Sequence, residues 1–156
     1  VNPDKQKQET AKSKGKAAGG GKSPATSTST GGRGSAAAFV ALCLQQAGDR
    51  YVYGAEASAS DPNPNAFDCS ELIEWASARV GVPFVDGSAA QIARAKPISV
   101  EQGIRTRGAI LYHPGHVAVS QGNGKTIEAA NSRVGVVSYS AHGRFTRAGL
   151  IPGMRY

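Results

Sequence analysis

The sequence predicts an α+β domain in which N-terminal helices pack on a small antiparallel β-sheet. Three observations predict it. Apolar side chains recur at helical spacing between residues 36 and 80. After Gly108 the period changes to alternation, in short β-rich segments separated by Gly or Asn turns. The helical half precedes the strand half, whereas the helices and strands of an α/β fold interleave.

Each element follows in order. Residues 1–34 hold seven Lys or Arg against two Asp or Glu and almost no large apolar side chain. Such a segment cannot bury enough surface to offset its conformational entropy, so a flexible linker is expected over 1–34 and one folded domain over 35–156. Ser35 is placed to cap a helix running to about Ala47 and closed by Gly48. Tyr51 to Gly54 is a short extended piece, and 58–65 is a loop rich in Ser, Asp, Asn and Pro. A second helix starts at Asp68 or Cys69 and ends by Gly81-Val82-Pro83. Cys69, Leu72, Ile73, Ala76 and Val80 share its inward face. A third, shorter helix is expected over 86–96. Four strands follow at 108–112, 116–121, 125–130 and 135–139.

Charge and composition exclude several functions. The net charge of +7 is mostly the arm's: residues 1–34 carry +5 and residues 35–156 carry +2. A nearly neutral domain is not expected to bind nucleic acid specifically, because that needs Lys and Arg clustered on a folded face. No run of about 18 apolar residues is present, so no membrane span is expected. The first 20 residues lack the apolar stretch of a secretory signal, and the chain begins with Val1. It reads as a processed or excised piece, with any address signal upstream. Cys43 lies in the apolar stretch 36–44 and reads as a small buried hydrophobe. Two free thiols are therefore favoured over one disulfide.

The chemistry concentrates in two segments, Phe67-Asp68-Cys69-Ser70 and Gly115-His116-Val117-Ala118-Val119. The first puts a thiol at a helix N-terminus, beside roughly half a positive charge, which favours thiolate. The second puts an imidazole on a strand, able to take the thiol proton and return it to a leaving amine. The turn Gly122-Asn123-Gly124 decides whether a third group joins them. A two-residue turn pairs Gly122 with Lys125 and puts Glu128 opposite Val119, away from His116. A three-residue loop with Gly124 left-handed pairs Gln121 with Lys125 and puts Glu128 opposite Ala118, diagonal to His116 and roughly 7–8 Å away. The three-residue loop is expected. Glu128 then orients the ring and stabilises its charged form. His142 is expected to be exposed, and Trp75 to lie in the core. A metal site from His113, His116 and Asp68 has no established ligand spacing and is not expected.

These segments, with Tyr51-Val52-Tyr53-Gly54 before them and Gly122-Asn123-Gly124-Lys125-Thr126-Ile127-Glu128-Ala129 after them, resemble the NlpC family of papain-like peptidoglycan endopeptidases over about residues 36–140. The resemblance implies a papain-like cysteine peptidase fold. Cys69 is then the nucleophile, His116 the general base and acid, and Glu128 the third polar residue. Tyr51 lines the cleft, and backbone N–H groups near Cys69 form the oxyanion hole. Asp68 and Ser70 beside the nucleophile, and His113 in the loop near the cleft, are expected to contact substrate or oxyanion. The implied substrate is the peptide stem of peptidoglycan, cut after γ-D-glutamyl at the diamino acid, without metal or organic cofactor.

The sequence departs from the family at several positions. Glu71 stands where glycine usually follows the Cys-Ser pair, Ala55 where a second glycine follows the tyrosine segment, and Ala109 in the usual Gly-Asp pair. The third polar residue is Glu rather than the commoner His. These variants, with the ending Arg147-Ala148-Gly149-Leu150-Ile151-Pro152-Gly153, are similar to versions carried on tail proteins of actinobacterial phages. That implies action at the cell wall, outside the cell or from a virion tail, with the linker joining the domain to a larger protein. Two alternatives stay open: an acyltransferase or amidase on the same scaffold, and a non-catalytic structural or wall-binding module.

Overall fold

The computed structural model describes residues 34–156. The linker expected over 1–34 lies outside the described residues except for Gly34. That glycine is buried; its N–H donates to the Val80 carbonyl and its own carbonyl accepts from the Arg155 N–H, both at 2.7 Å.

Helix α1 spans Ala36–Gln45, and Ser35 caps it by accepting the Ala38 N–H at 3.0 Å. Strand β1 (Arg50–Tyr51) pairs in parallel with β2 (Ala66–Phe67), so that Tyr51 lies opposite Phe67. This short ladder brings Tyr51 beside the start of helix α2 (Cys69–Arg79). Helix α3 (Ser88–Arg94) follows, then β3 (Lys96–Ile98) and helix α4 (Val100–Ile104). Strands β4 (Ile110–His113), β5 (His116–Ser120), β6 (Thr126–Asn131), β7 (Gly135–Val137) and β8 (Arg147–Leu150) complete the fold.

The sheet is antiparallel in the order β3-β8-β4-β5-β6-β7. One face carries Ile110, Val117, Val119, Ile127 and Val136. It closes the main core against Phe39 and Val40 of α1 and Leu72, Ile73 and Trp75 of α2. The opposite face carries Leu111, Ala118 and Ala148 and closes a smaller core with Ile104, Ala141 and Phe145. At roughly 1.5–3 kcal/mol for each large apolar side chain removed from water, the first layer dominates stability and fixes α2 against β5.

The four expected strands are present, but they form the middle and one side of a larger sheet. Strand β8 enters between β3 and β4. Neither β3 nor β8 alternates apolar and polar residues, so neither has the period that marks a strand. Pro97 suits β3, an edge strand with no further neighbour needing its N–H. Gly149 allows β8 its close approach: a Cβ there would lie 2.5 Å from Ala95 Cβ.

Asp68 is the N-cap of α2 and joins it to the segment after Tyr51. Its Oδ1 accepts the Glu71 N–H at 2.9 Å, and its Oδ2 accepts the Gly54 N–H at 3.1 Å. Asp68→Ala is expected to cost about 1 kcal/mol through the lost cap and to lower the midpoint of a thermal melt by a few degrees.

Candidate active site

Cys69 is the first residue of α2, half-buried, with its side chain against the main core. Alternation places His116 on the far side of the sheet from α2, with Ala118. It is also the first residue of β5, directly after the Pro114-Gly115 turn, and its ring hydrogen-bonds Cys69 there. On its other side Nε2 donates to Glu128 Oε1 at 2.7 Å. With Nε2 engaged by the carboxylate, Nδ1 is the nitrogen left for sulfur.

The three-residue loop puts Glu128 in place. Gln121 N–H donates to the Lys125 carbonyl, and Val119 pairs with Ile127 and Ser120 with Thr126. That register sets Glu128 opposite Ala118. Gly124 closes the loop at φ +91°, a conformation L side chains rarely adopt. The His116 side chain is 12% exposed, while that of its partner Glu128 is fully buried.

A buried carboxylate needs donors on every side. Arg144 supplies two, Nη2 to Oε1 at 2.7 Å and Nη1 to Oε2 at 2.8 Å, and the Thr126 hydroxyl also donates to Oε2. The guanidinium is steadied by Phe145, whose ring centre lies 4.7 Å from it, and by the Ser140 carbonyl at 3.0 Å. The sequence reading did not find Arg144 or Thr126. Thr126 was accessible to it, since alternation puts it on Glu128's face. Arg144 lies outside any regular element, and no periodicity reports where its loop folds.

Burial alone would raise the Glu128 carboxyl, but the hydrogen bonds from Arg144, His116 and Thr126 and the arginine's charge lower it to about 2. Burial likewise disfavours the imidazolium. Hydrogen bonds to Cys69 and Glu128, with the negative charge of both, override this and raise His116 to about 9. The raised histidine stabilises the fold fully below its ordinary value of 6.5, an effect lost as pH rises through about 9. The lowered glutamate stabilises it above 4.5, an effect lost as pH falls toward 2. The contribution of the pair to the melting temperature, read as wild type minus Glu128→Gln, is therefore expected to peak between about pH 4.5 and 6.5.

The remaining predicted residues take different places. Tyr51 is half-buried, and its phenol is raised first by burial and then by the charges of Cys69 and Asp68. His113 ends β4 opposite His116, with ring centres 5.2 Å apart, and stacks on Phe145 at 5.8 Å. Ser70 is buried, and its hydroxyl donates to Asp68 Oδ1 at 3.3 Å. The Asp68 carboxylate is occupied by the cap and by Gly54. Cys43 is fully buried and burial pushes its thiol up; both cysteines are free. His142 is exposed and Trp75 is in the core.

The chain has relatives in both fold and sequence. A probable endopeptidase of Corynebacterium glutamicum is 33% identical over 95 residues, 60% of this chain and 42% of that protein, so the match spans less than half of the relative's length. The peptidoglycan hydrolase RipB of Mycobacterium tuberculosis superposes with a TM-score of 0.65 and 27% identity, over 78% of this chain and 65% of its own. The P60 domain of an antigen from M. avium subspecies paratuberculosis gives a TM-score of 0.65 and 26% identity, over 78% of this chain and 96% of its own. Residues 48–149, from just before β1 through most of β8, match the NlpC/P60 family, and the chain belongs to that family.

Proposed function

We propose that this protein is a cysteine peptidase that hydrolyses an amide in the peptide stem of bacterial peptidoglycan. The observation that carries the reading is the His116 ring held between Cys69 and a buried, ionised Glu128. The relatives described as a peptidoglycan hydrolase and a probable endopeptidase support the substrate class.

The geometry supports one order of events. The proton shared by Cys69 and His116 rests on the imidazole, and the thiolate attacks the carbonyl carbon. At the start of α2, Asp68 already engages the N–H groups of Glu71 and Leu72, so the oxyanion is assigned to those of Cys69 and Ser70. The tetrahedral intermediate collapses as the imidazolium protonates the leaving amine, and a thioester remains. Water, deprotonated by His116, then releases the acid and restores the thiol. Glu128 stabilises the imidazolium in both halves, and Tyr51 and His113 border the substrate's path.

The bond we assign is that between γ-D-glutamyl and the diamino acid, and the place of action is the cell wall, in local penetration from a phage tail. Both finer assignments rest on the family resemblance of the sequence. Among the described residues no helix is long and apolar enough to cross a membrane. The test is digestion of purified diaminopimelate-type peptidoglycan, with muropeptides read by mass spectrometry. New free γ-glutamyl carboxyl and diamino-acid amino ends support hydrolysis at that bond. Ends joined to an added amine show transfer instead, and no new ends from folded, reduced protein overturn the reading. Activity is expected to fall on the alkaline side with a midpoint near pH 9, where His116 loses its proton.

A further inference from the structure

A second cluster of charge begins two residues along α2 from Cys69. Carboxylate oxygens of Glu56, Glu71 and Asp86 all lie within 4.8 Å of one another. They come from three segments: the loop after β1, helix α2 and the loop before α3. Glu74, one turn beyond Glu71, interacts with both Glu71 and Asp86. Among the described residues no Lys, Arg or His forms an ion pair with any of the four.

Glu71 gives the cluster its direction. It is 2% exposed, its Oε2 accepts the Ala57 N–H at 2.6 Å, and its Oε1 is buried with no hydrogen-bond donor. No N–H or hydroxyl donor compensates the desolvation of that oxygen, and the other side-chain partner of Glu71 is a further acid, Glu74. Glu74 Oε1 is in the same condition. Only a proton or a cation answers that arrangement.

We propose that Glu56, Glu71 and Asp86, supported by Glu74, form a calcium site that clamps the loop after β1 onto helix α2. Calcium takes oxygen ligands at about 2.3–2.6 Å, so its coordination shell is roughly 5 Å across, and the three oxygens fit inside it. Carboxylates are the hard, anionic ligands the ion prefers, and the exposed Glu56 and Asp86 leave room for water to complete six to eight ligands. The cation supplies the positive charge that the fold omits. Desolvation pushes the Glu71 carboxyl up to about 8, against the lowering effect of the Ala57 hydrogen bond and with added repulsion from Glu74 and Glu56.

The site has a structural consequence. Glu71, Trp75 and Arg79 stand one helical turn apart and pin the same loop. Glu71 holds the Ala57 N–H, Trp75 Nε1 donates to the Asp61 carbonyl at 2.8 Å, and Arg79 Nη1 donates to the Ala59 carbonyl at 3.0 Å. The cation sits at the end of this stripe nearest Cys69, where the loop leaves Tyr51 and Gly54. It orders one wall of the cleft without touching the sulfur.

The experiment uses the full chain, freed of metal with chelator at pH 7.5, and does not depend on peptidase activity. Calcium chloride is titrated by calorimetry and in thermal melts, with magnesium chloride as control. Terbium luminescence is excited through Trp75, the sole tryptophan. Calcium is expected to bind at roughly 10–1000 µM and, near a hundredfold excess over that constant, to raise the melting temperature by about 5–10 °C. Magnesium is expected to do much less. Glu71→Gln, which keeps the acceptor for Ala57, is expected to weaken calcium and terbium binding at least tenfold. So is the surface double variant Glu56→Gln/Asp86→Asn, which reports even if the buried change impairs folding. Absence of calcium heat and of any melting shift in wild type overturns the proposal. So does binding that survives the double variant, or a Glu71→Gln protein that melts higher than wild type at pH 8 with no calcium response in either, the signature of a shared proton.

Discussion

Cys69→Ala is expected to lower hydrolysis of the peptidoglycan stem by about ten-thousand-fold or more while the protein stays folded. The size of the loss follows from the division of labour at the start of α2. The oxyanion donors, the cap from Asp68 and the cleft walls all survive the substitution, and such remnants sustain only slow attack by water. What disappears is the proposed covalent step, with the sulfur that His116 faces. The fold tolerates the change because Cys69 is half-buried at a helix end and alanine is a good helix former. Mass-spectrometric quantitation of released muropeptides beside a thermal melt checks both halves of the expectation. Retention of more than a few per cent of wild-type rate would remove Cys69 from the mechanism.

A thiol-labelling experiment isolates the same point from substrate. The native protein is expected to take up one iodoacetamide quickly, at Cys69, because Cys43 is fully buried and its thiol is raised by burial. Native Cys69→Ala is expected to take up none, and the denatured variant one. Two rapid labels on the native chain would place Cys43 outside the core.

Much of this site was legible in the sequence because it depends on local rules. Asp68 before Cys69 is a cap followed by a helix, and the apolar spacing from Leu72 to Val80 fixes which side faces the core. The length of the Gly122-Asn123-Gly124 loop decides a register, and the register decides that Glu128 faces His116, with no long-range information needed. Arg144 shows where local rules end. Its two bonds to Glu128 depend on the path of the chain between β7 and β8. Strand β8 itself carries Gly149 in place of a β-branched residue, because Ala95 lies too close for a side chain. Packing of that kind is set by what the rest of the fold brings near. The position of Glu71 was visible as a departure from the family pattern, but its partners Glu56 and Asp86 lie in loops whose meeting only the fold determines.

Glu128→Gln is expected to reduce turnover by about a hundred- to a thousandfold and to destabilise the protein by roughly 3–5 kcal/mol, the range for breaking a buried ion pair. The shape of the side chain is kept, so the effect reads charge. Without the carboxylate the imidazolium keeps its desolvation cost and loses one of its two partners, and the alkaline limb of the pH profile is expected to move below pH 9. Arg144 is left beside a neutral amide, with one fewer good acceptor and a charge partly out of water. Arg144→Met removes that charge but leaves Glu128 buried with only His116 and Thr126 as donors, so it too is expected to destabilise. The double variant Glu128→Gln/Arg144→Met leaves neither charge stranded and is expected to be more stable than the sum of the single losses predicts, by about 1–3 kcal/mol. Additive losses in denaturant unfolding would mean that the two residues do not act as a pair. The kinetics separate the roles further. If Arg144 acts only by holding Glu128, Arg144→Met lowers kcat with little change in KM and adds little further loss on the Glu128→Gln background, because the carboxylate through which it acts is already gone.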